Sequence, residues 1–228
     1  MSQLVIAALL FVGAHFGLSS TPLRAALVGR LGEPRFVGVY SLLQLLLLAW
    51  LIWAYAVAPT LPLWSPAGWT AWIPLLAMPL VLLLMVGGLT QPNPTAVMQD
   101  AKGAPDTTPR GMLTVTRHPM MWGFGLWALS HLAANGDAAS LVLFAAVAGL
   151  ALVGTLAIDA KKRARWGAAW PDFAARTSNL PLAAVASGRV RLDLAGIGWR
   201  TPAIAAVAYV LLLLLLHPLV IGVRALPG

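Results

Sequence analysis

All four histidines of this sequence lie within or at the edge of long apolar stretches. An ionisable side chain in such a stretch is unfavourable unless it is paired, so it indicates a functional site. Asp, Glu, Lys and Arg are absent from the six stretches defined below, which argues against a proton relay or ion path built on carboxylates. Histidine alone indicates metal or haem ligation, or neutral imidazoles hydrogen-bonded between helices. The four residues are His15, His118, His131 and His217.

His131 is the strongest candidate ligand among them. On a helix it shares one stripe with Trp127 and Asn135, which lie four residues before and after it. Gly123 and Gly125 come one to two turns earlier and permit close approach of a neighbouring helix or a flat ligand. The stripe therefore predicts a cofactor-binding face that includes Trp127, His131 and Asn135.

The composition predicts the membrane as the environment of these residues. Hydrophobic residues make up 60% of the 228 positions and charged residues only 10%, whereas soluble domains carry about 25% charged residues. Because about 20 apolar residues cross a bilayer core, the sequence predicts an all-α, polytopic protein with six spans. These are Leu4–Leu18, Phe36–Ala58, Ala71–Thr90, Met120–Ala134, Ala138–Ile158 and Pro202–Val223.

Basic residues predict the orientation of these spans. Three connections, after the first, third and fifth spans, hold 14 of the 15 Lys and Arg residues. The positive-inside rule makes this side cytoplasmic and puts both termini outside. The net charge of +8 then reports membrane orientation, and it does not indicate a nucleic-acid partner. We expect one integral membrane domain over residues 1–228, with cytoplasmic loops at 91–117 and 159–200 and the lipid bilayer as its surroundings.

Depth along the spans favours one histidine pair. At a rise of 1.5 Å per residue, His15 lies about 18 Å from the outer start of its span, towards the inner leaflet. His131 lies about 5 Å from the outer end of the fourth span, and His217 lies near the outer end of the sixth. This estimate pairs His131 with His217.

A second group of polar residues is expected at the cytoplasmic edge. Asn135-Gly136-Asp137 is a short turn that joins spans four and five into a helical hairpin. The hairpin brings Arg117 and His118, before span four, next to Asp159, after span five. These three residues predict a site for a phosphate or carboxylate, or an anchor to anionic lipid head groups.

Several stretches in this order resemble the NnrU family of bacterial membrane proteins. The resemblance implies a protein of the bacterial inner membrane that is associated with nitrite and nitric oxide reduction in denitrification. The matching stretches are Phe11-Val12-Gly13-Ala14-His15, Gly32-Glu33 with Tyr40-Ser41-Leu42, Thr116–Met120, Leu126–Asp137 and His217-Pro218 with Gly222.

The same family pattern includes the plant 15-cis-zeta-carotene isomerases, which bind haem b. Their two haem-ligating histidines match His15 and His131, so the resemblance implies haem b held by this pair, with His217 as the fallback ligand. Ala128 stands where the isomerases have a cysteine implicated in ligand exchange, and this departure argues against carotenoid isomerisation here. We therefore expect a haem protein of redox or isomerase type, whose partner is nitric oxide reductase or a hydrophobic small molecule.

Two alternative functions stay open at this point. Arg117-His118-Pro119 followed by Asp159 is distantly similar to the isoprenylcysteine and phospholipid methyltransferases, which implies S-adenosylmethionine as cosubstrate. That family has a second acidic residue where Ala160 stands here, and Trp166 and Trp170 replace residues of its tyrosine-containing tail. The other alternative is a non-catalytic assembly factor for nitric oxide reductase.

Overall fold

The computed structural model describes residues 1–96, 108–223 and 225–226. This part of the chain consists of helices and loops, with one isolated backbone bridge between Pro62 and Asp137. The α-helices are α1 (Ser2–Ser19), α2 (Pro22–Leu31), α3 (Glu33–Ala56), α4 (Trp72–Thr90), α5 (Met112–Val115), α6 (Pro119–Ala134), α7 (Ala138–Trp166), α8 (Trp170–Arg176), α9 (Ala183–Ala186), α10 (Leu194–Ile197) and α11 (Arg200–Leu211). A π-helix at Leu212–Ile221 continues α11.

Five helical segments are long and apolar enough to cross a membrane, which confirms the membrane class of the fold. The fourth predicted span, Met120–Ala134, corresponds to α6, which has 16 residues. Its length is about 24 Å, less than the roughly 30 Å of a hydrocarbon core. The five segments are Ser2–Ser19, Glu33–Ala56, Gly68–Thr90, Ala138–Arg176 and Arg200–Ile221.

The long helices pack in a definite neighbour order. Helix α1 packs against α3 and α7, α6 packs between α7 and α4, and α4 also packs against α11. An apolar core joins α1, α3 and α7 through Leu4, Phe11, Leu51 and Ala139. Most other apolar side chains of these helices face outward, as expected where lipid replaces water as the solvent.

Local sequence signals mark the starts of three of these helices. The Thr21 side chain accepts from the backbone N–H of Leu23 at the start of α2, and Asp137 accepts from that of Ser140 at the start of α7. Proline occupies the first position of α6, and His118 precedes it at the N-cap position without a capping side-chain hydrogen bond.

The two ends of the α6–α7 hairpin lie at opposite ends of the helical bundle. At one end the carbonyl of Gly136 accepts from the backbone N–H groups of Leu63 and Trp64, in the loop between α3 and α4. At the other end lie residues 91–96, 108–118 and 159–200. Residues 97–107, the middle of the predicted loop at 91–117, lie outside the described residues.

Candidate functional site

The Asp159 carboxylate joins the two residues predicted to lie beside it. The Nε of Arg117 donates to both carboxylate oxygens, at 2.8 and 3.1 Å, and its Nη2 donates to Oδ2 at 2.5 Å. The Nε2 of His118 lies 2.7 Å from Oδ1. The Arg117 and Asp159 side chains are each only 11% exposed, so this is a partly buried ion pair with two-point geometry. The predicted meeting of Arg117, His118 and Asp159 is therefore present.

Side-chain and backbone groups of neighbouring segments hold Arg117 in place. Its carbonyl accepts from the Nδ2 of Asn93 at 3.1 Å and the Oγ1 of Thr95 at 2.5 Å, and its N–H donates to the carbonyl of Ser178. Its guanidinium lies over the Trp170 ring, 5.5 Å from the ring centroid. The residue is thus fixed from three separate segments of the chain.

Asn179 is a member of this network that the sequence analysis missed. Its Nδ2 donates to the Oγ1 of Thr155 at 2.9 Å and lies 3.4 Å from Asp159 Oδ2, and its Oδ1 accepts from the Nε1 of Trp122. We call Arg117, His118, Asp159 and Asn179 the Asp159 network. The available signal was the polar run Thr177-Ser178-Asn179 within a predicted surface segment.

The polar groups of the Asp159 network are paired with one another and largely shielded from solvent. Burial lowers the pKa of His118, an effect that its hydrogen bond to Asp159 opposes, so His118 is neutral at pH 7. The charges of Arg117 and Asp159 balance each other, and the His118 side chain is 1% exposed. An external phosphate, carboxylate or S-adenosylmethionine would have to displace Asp159, so this geometry favours a structural role.

His131 lies on α6 in an aromatic setting. Its Nδ1 lies 2.8 Å from the carbonyl oxygen of Trp127, so an Nδ1–H donor leaves the lone pair on Nε2. The imidazole ring centroid lies 5.2 Å from the nearest Trp127 ring centroid and 5.5 Å from that of Phe144. Asn135 donates from Nδ2 to the His131 carbonyl at 2.7 Å. Hydrogen bonds along α6 therefore link the three residues of the predicted stripe, Trp127, His131 and Asn135.

His15 lies on α1, and its imidazole is also oriented by a backbone carbonyl. Its Nδ1 lies 3.0 Å from the carbonyl oxygen of Phe11, and its ring centroid lies 6.0 Å from that of Tyr40 on α3. One turn beyond Tyr40, both amide atoms of Gln44 are buried without a hydrogen-bond partner in the described structure. Gln44 was also missed, although an amide within an apolar span is a readable signal.

His15 and His131 have their recorded contacts on different helices, His15 with α1 and α3 and His131 with α6 and α7. His131 contacts Phe144, in the second turn of α7. His15 lies one turn before Ser19, whose carbonyl accepts from the Nζ of Lys161 at 3.4 Å. The 17-residue separation of Phe144 and Lys161 corresponds to about 25 Å along α7. His131 and the end of α1 therefore contact parts of α7 that lie about 25 Å apart along its axis.

His217 lies on the π-helix that continues α11. Its Nδ1 lies 2.6 Å from the carbonyl oxygen of Val223. Its pairing with His131 by depth stays a prediction.

The glycines of α6 serve helix packing. A Cβ on Gly123 would lie 2.7 Å from Met85 of α4, and one on Gly125 would lie 2.7 Å from Leu152 of α7. The space beside each glycine is therefore filled by a neighbouring helix, which resolves the choice between helix packing and a flat ligand in favour of packing.

Comparison with known protein families identifies the family of this chain. The family model described as NnrU protein matches residues 3–225, nearly the whole chain. The chain belongs to the NnrU family. A relative of this NnrU protein is the chloroplastic 15-cis-zeta-carotene isomerase of Zea mays, 32% identical over 82 residues. The match covers 36% of this chain and 22% of the maize protein. No solved structure matches.

Three of the histidines present ring atoms that could hold haem iron. Within residues 1–96, 108–223 and 225–226, no three His, Asp or Glu side chains form a metal-binding group. Haem iron needs one or two axial imidazoles, and a ligating histidine usually donates its other ring N–H to a carbonyl or carboxylate. His15, His131 and His217 each have Nδ1 at a backbone carbonyl. The chemistry of these three side chains fits ligation of haem iron, and which of them form a pair stays a prediction.

Proposed function

We propose that this NnrU protein binds haem b through His131 in the bacterial inner membrane and acts in nitrite and nitric oxide metabolism. The observation that carries the proposal is the orientation of His131. Its Nδ1 is held at the Trp127 carbonyl, which presents Nε2 as a free ligand atom beside Trp127 and Phe144. Haem b, the link to denitrification and His131 as a ligand come from the NnrU and isomerase resemblances, and this geometry supports His131 in that role.

We propose that His217 would hold the haem together with His131. The two residues are level by their positions along the spans, and the Nδ1 of His217 is likewise at a backbone carbonyl. The isomerase resemblance implies a different pair, His15 with His131. We therefore keep His15 as the competing ligand in the test below.

We further propose six membrane crossings, with both termini in the periplasm. Helix α6 is short, yet His118 before it reaches Asp159 beyond the apolar part of α7, and Gly136 after it reaches the loop between α3 and α4. The hairpin ends at the same two levels as the apolar part of α7, Ala138–Ile158. Flanking turns can complete a short helix to the thickness of the bilayer. The 14 basic residues then lie on the cytoplasmic side.

Bound haem would supply an iron centre for electron transfer or for binding nitric oxide. The role of this chain is to orient the His131 imidazole through Trp127, to fix the end of α6 through Asn135, and to exclude water with the aromatic rings of Trp127 and Phe144. The partner we propose is nitric oxide reductase or a hydrophobic small molecule in the bilayer, because the helices expose their apolar side chains outward.

The test is the visible spectrum of the full-length chain, purified after expression with haem supplied. The wild type should show the Soret band of low-spin haem b, and His131→Ala should lose it. His217→Ala should convert the spectrum towards a five-coordinate form, because one axial ligand is lost.

The remaining two histidines serve as comparisons in the same experiment. His118→Gln should retain the wild-type spectrum, since His118 bonds to Asp159. A loss of the band in His15→Ala but not in His217→Ala would overturn the His217 assignment. A wild type without any Soret band would overturn haem binding altogether.

A further inference from the structure

Arginines line a cavity at the end of the bundle that holds the Asp159 network. The cavity has a volume of about 450 Å³ and lies between the segment at 108–110, the end of α8 and the loop before α10. We call it the arginine cavity. We propose that it binds a phosphate group, carried either by a phospholipid head group or by a free phosphate compound. Its charged and apolar lining includes Arg110, Arg176, Arg189, Arg191, Asp193 and Val190.

The charge of the lining favours an anion. Four guanidinium groups face one carboxylate, which leaves three positive charges around a space large enough for a small molecule. Like charges held this closely repel one another, and a multiply charged anion relieves that repulsion. The arginine fork also matches the spacing of phosphate oxygens better than an ammonium group does.

The Asp193 carboxylate already accepts two hydrogen bonds from backbone N–H groups. Its Oδ2 accepts from the N–H of Gly111 at 3.0 Å, and its Oδ1 accepts from the N–H of Gly196 at 2.8 Å. These two bonds, together with the charge of Arg110, lower the pKa of Asp193 against a small opposing effect of burial. The carboxylate therefore joins the segment at Gly111 to α10 and is not released to pair with the other arginines.

Two of the arginines are held by backbone carbonyls. Arg189 donates from Nη1 to the carbonyls of Ala175 and Thr177, at 3.0 and 3.1 Å, and from Nε to Ser187 Oγ. Arg176 donates from Nε to the carbonyl of Asp172. These bonds pre-orient one side of the cavity, which reduces the entropy that binding would otherwise cost.

Two arginines of the cavity are more accessible to an anion than Arg117 of the Asp159 network. Arg117 has its guanidinium fully engaged by Asp159, whereas Arg110 and Arg191 are exposed at the cavity. The anion site that the sequence predicts for this side of the membrane is therefore better formed by the arginine cavity.

Exposed apolar side chains in the same segment indicate a membrane surface nearby. Leu180, Leu194 and Trp199 are 59%, 68% and 75% exposed. Apolar and aromatic residues beside arginines are typical of an interfacial segment that contacts anionic lipids. A lipid phosphate is thus one source of the ligand, and a soluble phosphate compound is the other.

The experiment measures ligand-induced stabilisation of the full-length chain in neutral detergent. One arm adds inorganic phosphate against chloride at equal ionic strength, and the other adds mixed micelles of phosphatidylglycerol against phosphatidylcholine. A ligand that binds the folded state raises the melting temperature, and its titration gives Kd. Stabilisation by inorganic phosphate identifies a free phosphate compound as the source, and stabilisation by phosphatidylglycerol alone identifies the head group.

The test variant is Arg110→Gln with Arg191→Gln, and the matched control is Arg30→Gln with Arg35→Gln. Both pairs remove two exposed positive charges from the predicted cytoplasmic side, but Arg30 and Arg35 lie on α2 and α3, outside the cavity. The cavity variant should bind the effective probe roughly tenfold more weakly or worse, while the control keeps at least half of the wild-type shift. Each shift is measured against the variant's own melting temperature, and Arg191→Gln alone should show a smaller loss.

The proposal is overturned if neither probe stabilises the wild type. It is equally overturned if the cavity variant responds like the wild type, or if the control loses its response to the same extent. None of these outcomes depends on haem, so the proposal stands or falls separately from the haem assignment.

Discussion

Asp159 balances the charges at one end of the α6–α7 hairpin. It accepts from Arg117 and His118, while Asn179 approaches the same carboxylate. Removing one partner of a buried ion pair leaves the other charge uncompensated, which costs more than the pair itself contributes. Replacing Asp159 therefore lowers stability mainly because its partner Arg117 would stay buried without a counter-charge.

We predict that Asp159→Asn lowers the free energy of unfolding by about 3–5 kcal/mol, because Arg117 then stays buried without its counter-charge. Asp172→Asn, an exposed carboxylate on α8, is the matched control and should change it by less than about 0.5 kcal/mol. Thermal unfolding in detergent measures both. Equal melting temperatures for the two variants would contradict a structural role of the Asp159 network.

Because the imidazole of His118 is buried, we expect the stability of the protein to depend on pH. Burial lowers the pKa of His118 from 6.5, helped by the charges of Arg117 and Lys162 and opposed by Asp159. Because folding lowers this pKa, the unfolded chain binds more protons, so stability is lost as pH falls below about 6.5. The melting temperature should therefore fall between pH 7.5 and pH 5.5, and His118→Gln should flatten that slope. An unchanged slope in His118→Gln would contradict the assignment.

At the scale of residues, spacing predicted the contacts that local geometry determines. Residues four apart share a helix face, which gave Trp127, His131 and Asn135, and the hairpin placed Arg117 and His118 beside Asp159. Asn179 and Gln44 were missed for different reasons. Asn179 reaches Asp159 only through the path of residues 167–178, which the sequence does not reveal, and the burial of Gln44 depends on how α1 and α3 pack.

At the scale of elements, the turn between α6 and α7 fixes the hairpin. Gly136 approaches the loop between α3 and α4 so closely that a Cβ there would lie 2.1 Å from the Trp64 carbonyl oxygen. The turn was predicted from Asn135-Gly136-Asp137, but its contact with residues 61–64 was not, because that contact is tertiary. The same limit applies to α6, which has 16 residues, since the proposed sixth crossing depends on flanking segments whose positions are tertiary.

We predict that Gly136→Ala destabilises the protein by about 1–3 kcal/mol, because the Trp64 backbone or Pro66 must move. Gly149→Ala is the control, since a Cβ at Gly149 meets nothing within 4 Å. There alanine should leave the melting temperature unchanged or raise it slightly, because alanine is the better helix former. A melting temperature for Gly136→Ala equal to that of Gly149→Ala would show that the turn is not tightly packed.

At the scale of the whole molecule, the charge distribution predicts how the bundle sits in the membrane. The sequence has no cysteine, so single cysteines can report orientation without background. Ser65→Cys, in the loop between α3 and α4, should react with a membrane-impermeant maleimide in intact spheroplasts. Ala164→Cys, near the end of α7, should react only after the membrane is permeabilised. Both sites are exposed, and the reverse labelling pattern would contradict the proposed orientation.

The haem proposal links all three scales, since it needs the His131 anchor, the packing of α6 against α7 and a membrane setting. The deciding measurement is the haem b content per chain of purified protein, determined by the pyridine haemochromogen assay. We predict near-equimolar haem b in the wild type and in His118→Gln, and a loss of most of it in His131→Ala. Haem-free wild type, or undiminished haem in His131→Ala, would contradict the proposal.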